Sequence, residues 1–236
     1  MTTTSAIPRS RDDTDPAADA IAIDGVSYCW EGKGAADLAV DRLRIAAGER
    51  LFVQGPSGSG KSTLLGLLSG VLVLQEGSVT VLGETISSLG SAERDRFRAD
   101  HIGYLFQMFN LIPYLSVVEN VTLPLRFSER RRERVADGAK EARRMLEHLG
   151  MNGLAGRSVT KLSVGQQQRV AAARAMIGSP EIVLADEPTS ALDAGHSEGF
   201  VKLLFAECER AGATLVFVSH DAALAPLFDR SYELGS

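Results

Sequence analysis

The sequence predicts an α/β fold built on a mainly parallel sheet, with a helical lobe set into it. Two patterns carry this reading. Short continuous apolar runs, such as Ile182–Ala185 and Ala213–Val218, alternate with longer stretches of helical period. Strands buried on both faces read this way, and the helices between them cover the sheet. In addition, the run Arg50–Gln54 passes straight into a Gly/Ser-rich turn that is followed by a leucine-rich segment.

Taken in chain order, the residues up to about Ala20 are rich in Thr, Ser, Asp and Pro and are expected to form a flexible tail. Arg9 and Arg11 are followed by no apolar segment, so the tail does not resemble a secretory signal. Ile21–Trp30 alternates as a strand, and Arg50–Gln54 is a second strand. Ser62–Ser69 reads as a helix with leucines at 64, 65, 67 and 68. Gly77–Leu82 and Ile102–Phe106 are further strands. From about Leu115 to Gly178 the pattern is mainly helical. Val135, Ala139, Ala142, Leu146 and Leu149 step by four and three, which predicts one helix over Ser128–Leu149 with an apolar stripe. Gly150, Gly153 and Gly156 punctuate its end. Basic clusters at Glu129–Arg132 and Arg143–Arg144 lie on that helix among Glu133, Asp137, Glu141 and Glu147. A solvated face with helical ion pairs is expected there rather than a site for lipid headgroups. No repeat of 20–50 residues is visible, which argues against a solenoid.

Composition narrows the field. The 236 residues are 44% hydrophobic and 23% charged, which excludes a disordered or fibrous chain and suffices for a substantial core. Lys and Arg total 25 against 30 Asp and Glu, for a net charge of −5. Such a balance disfavours nucleic acid as a partner, since phosphate neutralisation needs cations. Cys29 and Cys208 form no metal or disulfide pattern and suit a reducing compartment. No stretch approaches the roughly 18 apolar residues of a membrane span. Composition thus leads to the expectation of a soluble cytosolic protein.

Three motifs carry chemistry. Gly55-Pro56-Ser57-Gly58-Ser59-Gly60-Lys61-Ser62 matches GxxxxGK[ST] between a predicted strand and a predicted helix, followed by Thr63. Glycines let the backbone wrap a phosphate, with N–H groups pointing inward and a helix N-terminus behind them. Lys61 suits the β- and γ-phosphates, and the Ser62 hydroxyl suits Mg²⁺. The second motif, Ile182–Glu187, carries two carboxylates to a strand end, where open α/β sheets bind ligands. Consecutive strand residues point to opposite sides, so Asp186 is assigned to Mg²⁺ and Glu187 to the attacking water. The third, Leu162-Ser163-Val164-Gly165-Gln166-Gln167-Gln168-Arg169, places Ser163 as the N-cap of a helix through Ile177. That is a second anion site, and it has no lysine.

The third motif resembles the LSGGQ signature of ABC-type ATPases, and other elements fall into order around it. Gln107 matches the Q-loop, Ser190–Asp193 the D-loop, and His220 in Val218–Asp221 the switch histidine. Val26–Trp30 matches the segment whose aromatic residue stacks on adenine, which assigns Trp30, with Tyr28 as the alternative. The resemblance covers roughly residues 21–233 and implies one ABC ATPase domain with a helical lobe inserted at about 108–178. It implies a P-loop NTPase fold with a mainly parallel core sheet, an antiparallel β subdomain and a helical subdomain, and ATP and Mg²⁺ as cofactors. It further implies a homodimer that sandwiches two ATP molecules. Lys61, Gln107, Glu187 and His220 would act on the ATP in one phosphate loop, with Gln107 linking to Mg²⁺. Ser163, Gly165, Gln166 and Asp193 would act across the interface.

Phe106–Leu125 resembles the FQxFNLIPxLSVxENVxLP run of the lipoprotein-releasing and macrolide-export group. Phe106, Met108, Phe109, Leu111 and Ile112 would then form an apolar patch near Gln107–Tyr114 that docks a permease helix. A cytoplasmic protein, peripheral on the inner face of the membrane, is implied. A force-transmitting ATPase without cargo, or an importer ATPase, is the alternative. Three features depart from the pattern. Val164 stands for the first signature glycine and is expected to crowd that turn. Ser190–Asp193 reads SALD where exporters favour GNLD, and the tail has no counterpart. A GTPase is disfavoured because no NKxD occurs.

Overall fold

A computed structural model describes residues 19–30 and 37–235. Two sheets organise them. The first is antiparallel, in the order β2-β1-β4-β5, with β1 at Asp19–Tyr28, β2 at Leu38–Ala46, β4 at Glu76–Val81 and β5 at Glu84–Thr85. The second is parallel, in the order β6-β7-β8-β3-β9, with β3 at Arg50–Gln54, β6 at Ile102–Leu105, β7 at Ile182–Asp186, β8 at Thr214–Val218 and β9 at Arg230–Glu233. Helix α1 (Lys61–Leu68) follows β3, α2 (Ser91–His101) precedes β6, and α7 (Ala194–Ala211) joins β7 to β8. Between β6 and β7 lie α3 (Val117–Thr122), α4 (Glu129–Glu133), α5 (Gly138–His148) and α6 (Val164–Met176).

The alternation of the parallel strands divides the interior into two cores. Phe52, Leu105, Val183, Ala185, Leu215 and Phe217 face the core shared with α3, α5, α6 and α7. Their strand neighbours Leu51, Val53, Ile102, Ile182, Leu184, Val216 and Val218 face the core shared with α1 and the antiparallel sheet. A period of two on a sheet covered on both faces gives uninterrupted apolar runs. On the first side Phe52, Phe217 and Phe228 cluster with centroids 5.1–6.2 Å apart.

Gly103 allows β6 to lie against α6: a Cβ there would come within 2.3 Å of the Ala175 carbonyl oxygen. Sequence patterning located β1, β3, β4, β6, β7 and β8 to within two residues, and did not reveal β2, β5, β9, α2 or α7.

Two expectations are corrected. The boundary of the tail moves back from Ala20, because β1 begins at Asp19, which pairs with Ala46. Ala20 is buried, and its carbonyl accepts from the Leu82 N–H at 2.8 Å; the rest of the tail, residues 1–18, lies outside the described residues. The single helix expected over Ser128–Leu149 is broken between α4 and α5. Asp137 stops continuation by accepting from the Lys140 N–H (3.0 Å) as the cap of a new helix that opens on Gly138.

The break also redistributes the basic cluster. Arg132 and Arg144 make the expected helical pairs with Glu129 and Glu141. Arg130 and Arg134 instead converge on Glu181, each at 2.6 Å. Burial pushes the Glu181 carboxyl up, but these two hydrogen bonds overcome it and bring the group to about 2. Arg131 turns inward and donates to the Ala175 carbonyl at 3.2 Å. Burial pulls it down to about 10.

The entry to the helical lobe is held by one buried amide. Asn120 donates to the carbonyls of Ile112, Leu115 and Ser116, and accepts from the Ile112 N–H at 2.8 Å. Replacing it leaves the Ile112 N–H and the Leu115 carbonyl without this partner, at about 1–3 kcal/mol for a strongly desolvated group, while the Ile112 and Ser116 carbonyls keep the N–H groups of Leu115 and Asn120. Asn120→Ala is therefore expected to cost about 2 kcal/mol, measured as a lowered urea midpoint at unchanged slope. A loss below about 0.5 kcal/mol would mean the loop is held by other contacts.

Candidate functional site

The strand order sets the carboxyl ends of β6, β7, β8 and β3 side by side. The first residues beyond them include Gln107, Glu187, His220 and the loop Gly55–Gly60. A cavity of about 540 Å³ lies there. Trp30, Asp37, Ser57, Gly58, Gly60, Lys61, Ser62, Thr63, Gln107, Glu187 and His220 line it.

Gly58 and Gly60 have φ of +82° and +90°, a backbone that glycine adopts without penalty. A Cβ on Gly60 would also meet the Asp37 carbonyl oxygen at 2.9 Å. Helix α1 starts at Lys61 with no side-chain cap and no acidic residue in its first turn. Its leading N–H groups and positive dipole end therefore remain directed at the cavity. Lys61 is largely buried, and its ammonium donates to the carbonyls of Gly55 (2.7 Å) and Pro56 (2.8 Å). The Ser59 hydroxyl is buried without a hydrogen-bond partner among the described residues.

At the end of β7 the Ser62 hydroxyl donates to Asp186 Oδ1 at 3.2 Å. Burial pushes the Asp186 carboxyl up and the charge of Glu187 adds to this, against the Ser62 hydrogen bond and the charge of Lys61. Strand alternation does not separate the two acids as expected, because the pleat ends at Asp186. Glu187 has φ +47°, and its N–H donates to the Val218 carbonyl at 3.0 Å. A left-handed turn thus sends Asp186 toward Ser62 and Glu187 toward His220. Glu187 Oε2 and His220 Nδ1 share a short hydrogen bond.

The donors fit a magnesium ion in kind. Ser62 and Asp186 offer hard oxygen atoms at one point, and the destabilised Asp186 charge favours a cation there. Among the described residues no group of three or more His, Cys, Asp or Glu could hold a metal. Beyond Ser62, Asp186 and Gln107, which lines the same cavity, a magnesium ion would rely on phosphate and water oxygens for its other ligands.

Of the two aromatic candidates, Trp30 stands at the cavity. The residue is 47% exposed and its indole N–H donates to Thr63 Oγ1 at 3.4 Å. Its backbone N–H donates to Asp37 Oδ2 at 2.8 Å. Tyr28 is buried in the core of the antiparallel sheet and meets Trp30 edge-on, centroids 5.5 Å apart.

Eight of the site residues do not line this cavity. Gly55, Pro56 and Ser59 belong to the loop beside it and Asp186 to the end of β7, whereas Ser163, Gly165, Gln166 and Asp193 stand on other elements. Ser163, Gly165 and Gln166 stand at the start of α6, where Ser163 and Gln166 form a reciprocal capping box. Ser163 Oγ accepts from the Gln166 N–H at 3.3 Å, and Gln166 Oε1 accepts from the Ser163 N–H at 3.0 Å. Val164 projects into solvent rather than crowding the turn. Asp193 caps α7 by accepting from the His196 N–H at 3.0 Å.

The apolar loop after Gln107 is only partly a surface patch. Met108 and Tyr114 are more than 80% exposed and Phe106 is 40% exposed. Phe109 is buried and Leu111 packs on the helical core, correcting the expectation for them. Beside this loop a second cavity, about 430 Å³, is lined by Phe106, Asn110, Phe127, Arg131 and Arg174 among others. Sequence reasoning missed two buried side chains of α6. Gln168 Nε2 donates to the Pro188 carbonyl at 2.7 Å, next to Glu187. Arg174 donates to the carbonyls of Phe109 (2.5 Å) and Asn110 (2.7 Å). The one available signal for Arg174 was a charge inside the alanine run Ala171–Ala175.

Comparison with known proteins is consistent with this geometry. The sequence model of the family described as ABC transporter matches residues 38–190. The lipoprotein-releasing system ATP-binding protein LolD 2 of Rhodospirillum rubrum is 42% identical over 190 residues, 80% of this chain and 81% of that protein. The cassette MJ0796 of Methanocaldococcus jannaschii has been solved as a dimer. It aligns with TM-score 0.80 and 38% identity over 91% of this chain and 94% of that one. Its dimeric post-hydrolysis state, bound to ADP and Pi, aligns with TM-score 0.77 at the same identity and coverage. The chain belongs to the ABC transporter family and is one of its ATP-binding ATPase cassettes.

Proposed function

We propose that the chain holds ATP and Mg²⁺ in the cavity at the strand ends and pairs head to tail with a second copy. In this reading it drives a separate membrane permease of the lipoprotein-release or macrolide-export type. The single observation that carries it is the division of the site: one cavity gathers Trp30, Lys61, Ser62, Gln107, Glu187 and His220, while Ser163, Gly165 and Gln166 lie apart from it. A sandwich of two copies closes each cavity with the other copy's signature. The solved dimer of MJ0796 and the LolD relative support the pairing and the permease class.

The residues have distinct roles in this reading. Trp30 stacks on adenine. The backbone of Gly55, Pro56, Ser57, Gly58, Ser59 and Gly60, with Thr63, cradles the phosphates, and Lys61 exchanges two loop carbonyls for the β- and γ-phosphates. Ser62, Asp186 and Gln107 hold Mg²⁺, which when bound neutralises charge developing on the phosphates. Glu187 accepts a proton from the attacking water as general base. His220, held by Glu187 through Nδ1, keeps its other ring nitrogen for the γ-phosphate. Ser163, Gly165, Gln166 and Asp193 serve the ATP bound to the other copy.

Residues 21–233 act as one ATPase domain with the lobe inserted at about 108–178. The cavity beside Phe106 and Phe127, with the exposed Met108 and Tyr114 near it, receives a helix of the permease. No described helix is long and apolar enough to cross a membrane, so the spans are assigned to that partner and the cassette to the inner face of the membrane.

Removing the general base tests the catalytic assignment. Glu187→Gln is expected to lower ATP turnover at least about 100-fold while leaving nucleotide bound. With ATP and Mg²⁺ it should sediment as a dimer; a monomer under those conditions would count against the sandwich. Trp30 is the one tryptophan of the chain, so stacking is directly visible. ATP should change its emission in a saturable titration, and Trp30→Ala should weaken ATP binding by about 1–2 kcal/mol. An unchanged spectrum would remove Trp30 from the adenine site.

A further inference from the structure

We infer that Arg174 is a positioning residue that ties the Gln107 loop to the helix opening at Ser163, and so acts on ATP turnover through Gln107 without touching nucleotide. The inference rests on the reading of the cavity as the ATP site and adds a residue which that reading leaves without a role.

Arg174 stands in the last turn of α6 and is 8% exposed. A buried arginine ordinarily pairs with a carboxylate. Here both guanidinium contacts are carbonyls, those of Phe109 at 2.5 Å and Asn110 at 2.7 Å. Burial lowers the group from its ordinary value, and no ion pair with a described residue restores it. The carbonyls come from consecutive non-glycine residues in the left-handed region, with φ of +57° and +48°. Such a pair persists only where surrounding contacts impose it, and the forked guanidinium is suited to hold two adjacent oxygens at once.

The turn so held contains Gln107. The Phe109 N–H donates to the Phe106 carbonyl at 3.0 Å, closing Phe106–Phe109 around it. Gln107 lines the nucleotide cavity, whereas Phe106, Asn110 and Arg174 line the second cavity on the other side. At the opposite end of α6, about 16 Å away at 1.5 Å per residue, stands the capping box of Ser163 and Gln166. Because a helix of this length moves as a rigid rod, the clamp makes the Gln107 turn and the signature shift together. Loss of the clamp frees the Gln107 turn to drift, and displacements near 1 Å lower rates steeply.

The test is steady-state ATP hydrolysis by the full chain with Mg²⁺. Arg174→Met is expected to lower kcat about tenfold while KM for ATP stays within about twofold. Arg174→Lys, which keeps the charge but not the fork, should recover part of the loss. The deciding comparison is the double variant. If Arg174 acts through Gln107, then adding Arg174→Met to Gln107→Ala lowers kcat no further, within about twofold. A multiplied loss overturns the inference, as does an unchanged kcat in Arg174→Met. A loss that follows only the folded fraction, read by thermal unfolding, overturns it too. Should Arg174→Met fail to fold, Arg174→Lys alone and combined with Gln107→Ala gives the same comparison. Absence of hydrolysis by the natural sequence would instead sink the ATPase reading itself.

Discussion

Four strands of the parallel sheet, β3, β6, β7 and β8, have no wet face, and the remaining architecture answers to that constraint. With alternate side chains of β3, β6, β7 and β8 claimed by two separate cores, no strand can slip by one residue without exchanging both faces at once. The register is therefore held hard, and so are the positions of the strand ends. Phosphate loop, Gln107, Asp186, Glu187 and His220 all hang from those ends within a residue or two. A loop attached to a rigid scaffold can carry polar, strained and unpaired groups that an isolated loop could not sustain.

Strain is in fact concentrated there. Glu187, Phe109 and Asn110 take left-handed backbone conformations without being glycines, at about 1–2 kcal/mol each. In each case a buried contact compensates. Glu187 is pinned by its N–H to Val218 on the neighbouring strand. Phe109 and Asn110 are pinned by the Arg174 guanidinium, and hydrogen bonds to a charged group contribute about 1.5–3 kcal/mol. The balance is close enough that these loops can change geometry without unfolding the sheet that carries them. Such a margin suits the coupling proposed between the Gln107 turn and the helix that opens at Ser163.

How much of this was legible before folding differs by physical signal. Buried strands announce themselves by uninterrupted apolar runs, so β3, β7 and β8 could be read directly, as could the phosphate loop with its flanking elements. Strand β2 escaped because the adjacent polar pair Asp41 and Arg42 interrupts the alternation between Leu38 and Val40 on one side and Leu43 and Ile45 on the other. Helix α7 escaped because its apolar positions are diluted by Gly199, Lys202 and Glu207, the last of them buried beside Arg210 and His148. The break at Asp137 is a cap competing with a stripe: the periodicity of Val135–Leu149 survives across the break, which is why it looked continuous. Asp186 and Glu187 do part toward different partners, but the parting is made by one left-handed residue beyond the strand end rather than by the pleat from which it was expected. The contacts of Arg174 and Gln168 join segments about 65 and 20 residues apart, and no local pattern encodes a partner at that distance.

The capping box at Ser163 shows how the half-site proposed there could exist in a single chain. A helix start aimed at a phosphate that only a second copy brings would otherwise expose bare N–H groups, which water or misplaced anions would occupy. Ser163 and Gln166 satisfy each other in the meantime, through one bond of 3.0 Å and one of 3.3 Å. The longer bond is the one from the Gln166 N–H, and bonds near that length are weak. In the proposed sandwich, exchanging it for a charged phosphate oxygen replaces a weak neutral contact by a charge-assisted one. Two chains of net charge −5 gain no long-range attraction from their net charge, so in the proposed sandwich this local exchange, made only when ATP is present, would tie pairing to nucleotide.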